Sequence, residues 1–231
     1  MFKDDINSLL NIEITDEQLK QFDDYYHFLI VYNNITNLTR ITDQDEVFYK
    51  HFYDSLTLTN VIDFKTVQSI CDMGAGAGFP SIPLKIMYPH LSITIVDSLG
   101  KRITFLEQLI EKLNLTHVSL FHDRSEIFAK THQASFDVVT ARALGNLNLI
   151  LEMGMPMVKK DGFFIAPKGQ NYEVEVTDAT KAINLLGARI IDIKTFELPY
   201  SYGKRANILL KKIKHINGYP RSYSQMLNKP L

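Results

Sequence analysis

Between residues 69 and 212, short apolar runs alternate with segments whose apolar residues recur every three or four positions. Apolar runs rich in β-branched residues predict strands, and the 3–4 spacing predicts amphipathic helices. The predicted strands are 69–71, 93–96, 117–121, 136–140, 163–166, 188–197 and 206–212. The predicted helices are 80–88, 101–114, 147–158 and 172–186.

This alternation predicts an α/β fold with a seven-stranded, mostly parallel, doubly wound sheet of the Rossmann-like type. The run FDVVT at 136–140 is apolar almost throughout, as expected for a strand that is buried on both faces. No helix is predicted between the last two strands. We therefore expect the last strand to be antiparallel and to form a hairpin with the strand before it.

The first 66 residues have a different pattern, with helical spacing and no predicted strand. Thr15 and Gln18 match a capping box, which predicts a helix that fades near Asn33. Thr42 or Asp43 is expected to cap a second helix. The predicted organisation is an N-terminal helical cap over 1–66, an α/β domain over 67–213 and a loose C-terminal tail over 214–231.

A glycine-rich turn joins the first predicted strand to the helix that follows it. Asp72 ends the strand, three glycines follow at Gly74, Gly76 and Gly78, and the next strand ends at Asp97. Glycines let the backbone take positive φ and approach a ligand closely. An acid at the end of the second strand can accept hydrogen bonds from both ribose hydroxyls. The unit therefore has the outline of a nucleotide-binding βαβ unit.

The spacing of the turn discriminates between ligand classes. The glycines form G-x-G-x-G rather than the G-x-G-x-x-G of dinucleotide-binding proteins, and no Lys-Ser/Thr pair follows them as in a phosphate-binding loop. Asp72 would favour a cationic ligand. These features favour S-adenosylmethionine, which carries a sulfonium, an ammonium and a ribose but no phosphate. A dinucleotide oxidoreductase and a glycine turn without a cofactor stay open as alternatives.

The composition is that of an ordinary globular protein, with 231 residues, 45% hydrophobic and 22% charged. Because Cys71 is the only cysteine, no disulfide can form within the chain, which fits a reducing compartment. The start of the sequence has no signal-peptide core, and no run of about 18 apolar residues predicts a membrane span. We therefore expect a cytoplasmic protein.

The charge is distributed unevenly. Residues 1–66 carry 5 Lys+Arg and 12 Asp+Glu, whereas residues 159–231 carry 13 Lys+Arg and 6 Asp+Glu. A basic C-terminal third is a plausible phosphate-binding face. The alternative is a solvated surface whose charge is offset by the acidic N-terminal part.

Seven short segments occur in an order that resembles one known family. They are NLTRIT with HFYDSL, DMGAGAGFPSIPL, VDSLGKRITFL, DRSE, TARA and APKG. Together they resemble the bacterial small-subunit ribosomal RNA guanine-N7 methyltransferases, also called glucose-inhibited division protein B, over roughly residues 20–212. The resemblance implies a class I methyltransferase fold and methyl transfer from S-adenosylmethionine to N7 of a guanine in 16S rRNA, at position 527 by the family's convention.

The resemblance also implies which residues bind the cofactor. The turn would hold the methionine part, Asp97 the ribose, and the loop after the third strand the adenine. Each residue has a structural alternative, such as helix capping by Asp72, Asp97 or Ser125, a core position for Phe79 or a salt bridge for Arg142. The expected cofactor residues are Asp72, Gly74, Gly76, Gly78, Phe79, Asp97, Ser125, Glu126 and Arg142.

The expected RNA contacts are basic residues. Lys168 follows the fifth strand directly, as Arg142 follows the fourth, and both are expected at the ligand-binding edge of the sheet. A solvated surface lysine is the alternative for Lys168. Further basic candidates are Arg124, Lys204 and Arg205.

The expected reaction needs little from side chains. Guanine N7 has a lone pair and no proton, so no general base, metal or catalytic histidine is expected, and Arg142 would act by positioning. We therefore expect a structural hydrogen bond at His51. The expected partner is 16S rRNA or the small ribosomal subunit, and the protein is expected to be a monomer. A non-catalytic RNA-binding protein with this fold is a further alternative.

Overall fold

The computed structural model describes residues 1–231 and is built around one seven-stranded sheet. Five strands form its parallel part, in the order β3-β2-β1-β4-β5, and the sheet continues with β7 and β6. The strand β7 is antiparallel to both of its neighbours. The predicted sheet and its antiparallel last strand are confirmed. The strands are β1 (Ser69–Met73), β2 (Ser92–Asp97), β3 (Val118–His122), β4 (Phe136–Thr140), β5 (Val158–Lys168), β6 (Ala188–Glu197) and β7 (Lys204–Lys212).

The N-terminal helices are α1 (Phe2–Leu9), α2 (Asp16–Asn33), α3 (Gln44–Val47) and α4 (Asp54–Leu56). The capping box at Thr15 is present, and Asp43 caps α3. A π-helical segment, Phe48–Tyr53, joins α3 to α4. The apolar faces of these helices belong to the same continuous core as one face of the sheet. The division into a cap over 1–66 and a domain over 67–213 stays a prediction.

Helices cover both faces of the sheet, as predicted for a doubly wound fold. On one face, α5 and α6 pack in the core that includes the N-terminal helices. On the other, a second core includes residues of α7, α8 and α10. These helices are α5 (Ser81–Met87), α6 (Gly100–Lys112), α7 (Ser125–Thr131), α8 (Leu147–Gly154), α9 (Tyr172–Asp178), α10 (Thr180–Leu185) and α11 (Tyr223–Asn228). No helix is long and apolar enough to span a membrane.

Two predicted helices differ from the observed ones. The helix expected over 147–158 ends at Gly154, because Pro156 has no amide hydrogen and the chain turns at Met155–Met157 before β5. The helix expected over 172–186 is divided into α9 and α10, with Ala179 between them. Both differences lie outside the loops that follow β1, β2 and β4.

The prediction of a loose tail over 214–231 is wrong. This segment carries α11, in which Met226 is 2% exposed and belongs to the second core. Arg221 forms a bidentate ion pair with the buried Glu152 of α8, with Nε–Oε1 and Nη2–Oε2 distances of 2.7 and 2.6 Å. A buried carboxylate needs a partner, and Arg221 satisfies it. The tail is therefore docked against α8.

The order of the strands places a crevice between β1 and β4. From β1 the chain proceeds outward through β2 to β3, and then returns to β4 on the other side of β1. The loops after β1 and β4 therefore leave the sheet toward opposite faces. In open α/β sheets, ligands bind at this switch point, outside the carboxyl ends of the strands. Asp97 and Arg142 both lie at these ends, the first at the end of β2 and the second just after β4.

Candidate functional site

The glycine turn after β1 needs positive φ at two positions that face the crevice, with φ of 67° at Gly74 and 61° at Gly76. A side chain is strained at such φ values. A Cβ atom at Gly76 would have no atom within 4 Å, so the space in front of this residue is open. By contrast, a Cβ atom at Gly78 would collide with Tyr25 and Ile82. Gly76 therefore presents its backbone to a cavity, and Gly78 is required for packing.

Asp97 is 2% exposed and lies opposite the turn. Its Oδ2 atom accepts hydrogen bonds from the Gly76 amide at 3.2 Å and from Arg102 Nη1 at 3.1 Å. Its Oδ1 atom accepts from the Leu99 amide at 2.9 Å. The carboxylate thus connects the glycine turn to the start of α6. Asp97 is not the N-cap of α6, which is Leu99, so the capping alternative is not what the structure shows.

Two adjoining pockets lie along the glycine turn. The Asp97 pocket has a volume of about 170 Å³ and is lined by Gly74, Val96, Asp97, Arg102, Arg124, Ser125, Glu126, Leu144, Leu149, Met153 and Tyr223, among others. The glycine pocket has a volume of about 180 Å³ and is lined by Leu38, Thr39, His51, Gly74, Gly76, Phe79, Arg102, Arg142 and Leu144, among others. Gly74, Arg102 and Leu144 belong to both, so the two pockets form one elongated site.

A third and larger cavity, the basic cleft, adjoins the glycine pocket at Arg142 and His51. It has a volume of about 390 Å³. It is polar, and its charged lining residues are Lys50, Asp54, Arg142, Lys168, Glu175 and Arg205. Two of its cations share one carboxylate, because Asp54 lies 3.4 Å from Arg142 and 3.3 Å from Arg205. With four cations and two carboxylates in its lining, the cleft has an excess of positive charge next to the glycine pocket.

Arg142 is held in a fixed orientation where the pockets meet. Its Nη2 atom donates to Nδ1 of His51 at 2.8 Å, and its guanidinium carbon lies 5.3 Å from the centre of the Phe79 ring. Arginine can only donate, so His51 Nδ1 accepts and the ring proton is on Nε2. That nitrogen lies 3.0 Å from the hydroxyl of Thr39. The predicted structural hydrogen bond of His51 therefore exists, and its partners are Arg142 and Thr39.

The ring of His51 stacks on Phe79, with the ring centres 4.5 Å apart and the planes at 16°. Burial, and next the positive charge of Arg142, lower the pKa of His51 from 6.5 to about 3. A group whose pKa is lowered in this way does not change charge between pH 5 and 8. His51 is therefore a neutral part of the scaffold around Arg142, and Phe79 is both a core residue and a wall of the glycine pocket.

The lowered pKa of His51 predicts a pH-dependent contribution to stability. Below its unfolded pKa of 6.5, the unfolded chain binds a proton at His51 that the folded chain does not bind. Protonation of His51 in the unfolded chain should therefore lower the free energy of unfolding as the pH falls, by roughly 1.4 kcal/mol per pH unit below about pH 6. In denaturant unfolding between pH 4.5 and 7.5, the stability difference between wild type and His51→Asn should shrink toward acid. The exposed His215 provides the matched control, His215→Asn, and a constant difference for His51→Asn would contradict the assignment.

Asp72 lies beneath the turn and lines neither pocket. It is fully buried, and its Oδ2 atom accepts a hydrogen bond from the amide of Ser81 at 3.2 Å, as the capping alternative proposed. Its Oδ1 atom is buried without a partner. Burial raises the pKa of this carboxyl to about 7, although the hydrogen bonds of Ser81 and the charge of Arg142 act in the opposite direction. A role for Asp72 toward a cationic ligand stays a prediction, and such a role would act through charge rather than contact.

The structure separates the predicted RNA contacts into two places. Lys168 and Arg205 lie in the basic cleft, and Lys204 lies in a neighbouring surface cavity with Arg205. The ammonium of Lys168 is paired with Glu175 at 2.7 Å. Arg124 lies instead in the Asp97 pocket, where it pairs with Glu126. Contact of any of these residues with RNA stays a prediction.

The sequence did not indicate several residues of the site, of which Arg102, Thr39 and Tyr223 contact its charged and aromatic groups. Arg102 lines both pockets, and its only signal was its place in the segment DSLGKR. Thr39 belongs to NLTRIT, but nothing in the sequence indicates that it meets His51. Tyr223 lies in the tail and reaches the Asp97 pocket, where the guanidinium of Arg124 lies 4.3 Å from the centre of its ring. No local pattern indicates this long-range contact.

Comparison with known sequences gives one consistent result. The family described as rRNA small subunit methyltransferase G matches residues 18–202. A protein named Ribosomal RNA small subunit methyltransferase G from Acholeplasma laidlawii is 50% identical over 226 residues, which is 98% of both chains. A protein of the same name from Listeria welshimeri is 48% identical over 213 residues, 91% of this chain and 90% of its own.

Comparison with solved structures supports the fold alone. The M. jannaschii TYW2 structure, solved in complex with AdoMet, is similar with a TM-score of 0.57 at 15% sequence identity. The similarity covers 72% of this chain and 76% of that one. At this identity the similarity shows a shared chain topology and does not assign a ligand.

Proposed function

Since this chain belongs to the rRNA small subunit methyltransferase G family, we propose that it transfers a methyl group from S-adenosylmethionine to N7 of a guanine in 16S rRNA. The guanine is position 527 by the family's convention. The observation that carries the proposal is that Arg142 lies where the elongated site along the glycine turn adjoins the basic cleft, because it lines both the glycine pocket and the cleft. A small cofactor and an RNA base could therefore meet at this residue.

The residues present fit S-adenosylmethionine. The open space at Gly76 allows a ligand to approach the turn, and the carboxylate of Asp97 at the end of β2 suits ribose hydroxyls. Apolar side chains of Leu149 and Met153 line the Asp97 pocket next to Ser125 and suit a flat base. When bound, S-adenosylmethionine supplies a methyl group that is already activated on a sulfonium. The residues proposed to hold it are Gly74, Gly76, Phe79, Asp97, Ser125, Glu126 and Arg142.

The reaction requires positioning rather than proton transfer. Guanine N7 has a free lone pair at neutral pH, so no side chain has to remove a proton before attack. His51 would be a poor base in any case, because its pKa is lowered to about 3 and its acceptor nitrogen is occupied by Arg142. The proposed role of the chain is to hold N7 in line for direct displacement at near-attack distance.

The basic cleft is the proposed RNA-binding surface. The target base would be turned out of its stack to enter the cleft, as bases of single-stranded RNA are when proteins recognise them. Arg205 lines the cleft and shares its carboxylate partner, Asp54, with Arg142, so its charge is only partly neutralised. We propose that it contacts phosphate, with contributions from Lys204 and Lys168. An enzyme of ribosomal RNA would act in the cytoplasm, and a monomeric state stays a prediction.

The test combines binding and product analysis. Calorimetric titration should show micromolar binding of S-adenosylmethionine and none of NADH. Asp97→Ala should weaken this binding at least tenfold, because it removes the acceptor proposed for the ribose. Small-subunit RNA or particles from a strain lacking the modification should gain a methyl group that makes one guanine sensitive to borohydride and aniline cleavage.

Matched controls separate the parts of the proposal. Asp161→Ala removes an exposed carboxylate that lines none of the three pockets and should leave cofactor binding unchanged. Cofactor binding without methylation of any small-subunit RNA would contradict the proposed substrate. Binding of NADH, or of neither compound, would contradict the proposed cofactor.

A further inference from the structure

Arg102 is the one cation of the glycine pocket whose donors are mostly unused. It lies in the first turn of α6, five residues after Asp97, and its side chain is 32% exposed. It lines both the Asp97 pocket and the glycine pocket. Its side chain makes a single hydrogen bond, from Nη1 to Asp97, and its Nε atom is buried without a partner. A guanidinium has five N–H donors, and a buried donor without an acceptor is costly.

The carboxylate of Asp97 is close to saturation in this arrangement. An ionised carboxylate offers about four acceptor positions. Three are taken by the amide of Gly76, the amide of Leu99 and the guanidinium of Arg102. A ribose with two free hydroxyls needs two positions. The amides belong to fixed backbone, so the side chain of Arg102 is the partner that can leave.

The other cations of the two pockets either have partners for their donors or lie outside the glycine pocket. Arg124 pairs with Glu126 and lies over the ring of Tyr223. Arg142 donates to His51 and pairs with Asp54. An anionic group entering the glycine pocket would therefore find its unpaired N–H donors on Arg102. A guanidinium binds a carboxylate with two parallel hydrogen bonds, which is a strong and specific arrangement.

We propose that Arg102 binds the carboxylate of the cofactor's methionine part and releases Asp97 to the ribose when it does so. The inference rests on the proposed function, since it assumes a ligand that carries both groups. Arg102 would thus exchange one carboxylate for another as the site fills. The protein would then recognise the carboxylate of the cofactor in addition to its ribose and its adenine.

The experiment compares two ligands on two proteins by calorimetric titration. The ligands are S-adenosylmethionine and its decarboxylated form, S-adenosyl-3-methylthiopropylamine, which keeps the sulfonium, ammonium, ribose and adenine. Wild type should bind the decarboxylated form about tenfold to a hundredfold more weakly, as expected for a lost charged hydrogen-bond pair. Arg102→Met should bind S-adenosylmethionine more weakly by a similar factor and should no longer distinguish the two ligands. Its affinity for the decarboxylated ligand should be unchanged or higher, because Asp97 is freed.

Two further variants keep the test decisive. Lys101→Met removes an exposed positive charge from the same turn of α6 and should retain the wild-type preference. Arg102→Lys keeps the charge without the planar fork and should show a reduced preference. Equal affinity of wild type for both ligands, or an equal loss for both ligands in Arg102→Met, would overturn the proposal. Absence of S-adenosylmethionine binding to wild type would instead overturn the proposed function.

Discussion

Replacement of Arg142 by Met is expected to lower the single-turnover rate of methyl transfer by a factor of about 100 to 1,000, while cofactor affinity changes much less. The expectation follows from its position in the wall that the glycine pocket shares with the basic cleft, where it is the only charged residue. Removal of one preorganised donor at a reacting centre has effects of this size. The nucleoside part of the cofactor would still be held by Asp97 and the loop after β3, and the methionine part by the glycine turn.

Arg142→Lys tests orientation separately from charge. A lysine keeps the positive charge but cannot contact His51, Asp54 and Ser55 with one planar group, as the guanidinium does here. We therefore expect a loss of rate close to that of the Met variant. Arg189→Met, on the exposed edge strand β6, is the matched control and should retain the wild-type rate. Wild-type turnover by either Arg142 variant would contradict a positioning role.

The strands and the glycine turn could be predicted because their signals are local. A β-branched run such as 93–96 predicts a strand from neighbouring residues alone, and three glycines within five residues predict a turn with positive φ. The switch point follows from these elements by general rules of α/β topology. The end of the helix at Gly154 was not predicted, because the apolar spacing continues to Val158 and the missing amide hydrogen of Pro156 does not alter that spacing.

The parts of the site that were not predicted depend on contacts between distant residues. Nothing near His51 indicates that Arg142, 91 positions later, donates to it. The same holds for Tyr223, which reaches the Asp97 pocket only because its helix docks on α8. The sequence identified residue types suited to the chemistry. Their partners, such as Glu175 for Lys168, require the folded chain.

One buried ion pair joins the tail, residues 214–231, to α8. Glu152 is 1% exposed, and its two oxygens accept from Arg221 Nε and Nη2 and from the Arg221 amide. Removal of one partner of a buried pair leaves an uncompensated charge, whereas apolar replacement of both is often tolerated. The pair lies close to the cofactor site, because Tyr223 follows Arg221 by two residues and lines the Asp97 pocket.

Arg221→Met is therefore expected to destabilise the fold by roughly 3 kcal/mol, which corresponds to a fall in Tm of about 6–12 °C for a chain of this size. It should also weaken S-adenosylmethionine binding several-fold, because α11 would no longer hold Tyr223 against the pocket. Thermal unfolding and calorimetric titration measure the two effects. The double variant Glu152→Met/Arg221→Met removes both charges and should recover most of the lost stability. A Tm of Arg221→Met within about 1 °C of wild type would show that apolar contacts such as that of Met226 are sufficient to hold the tail in place.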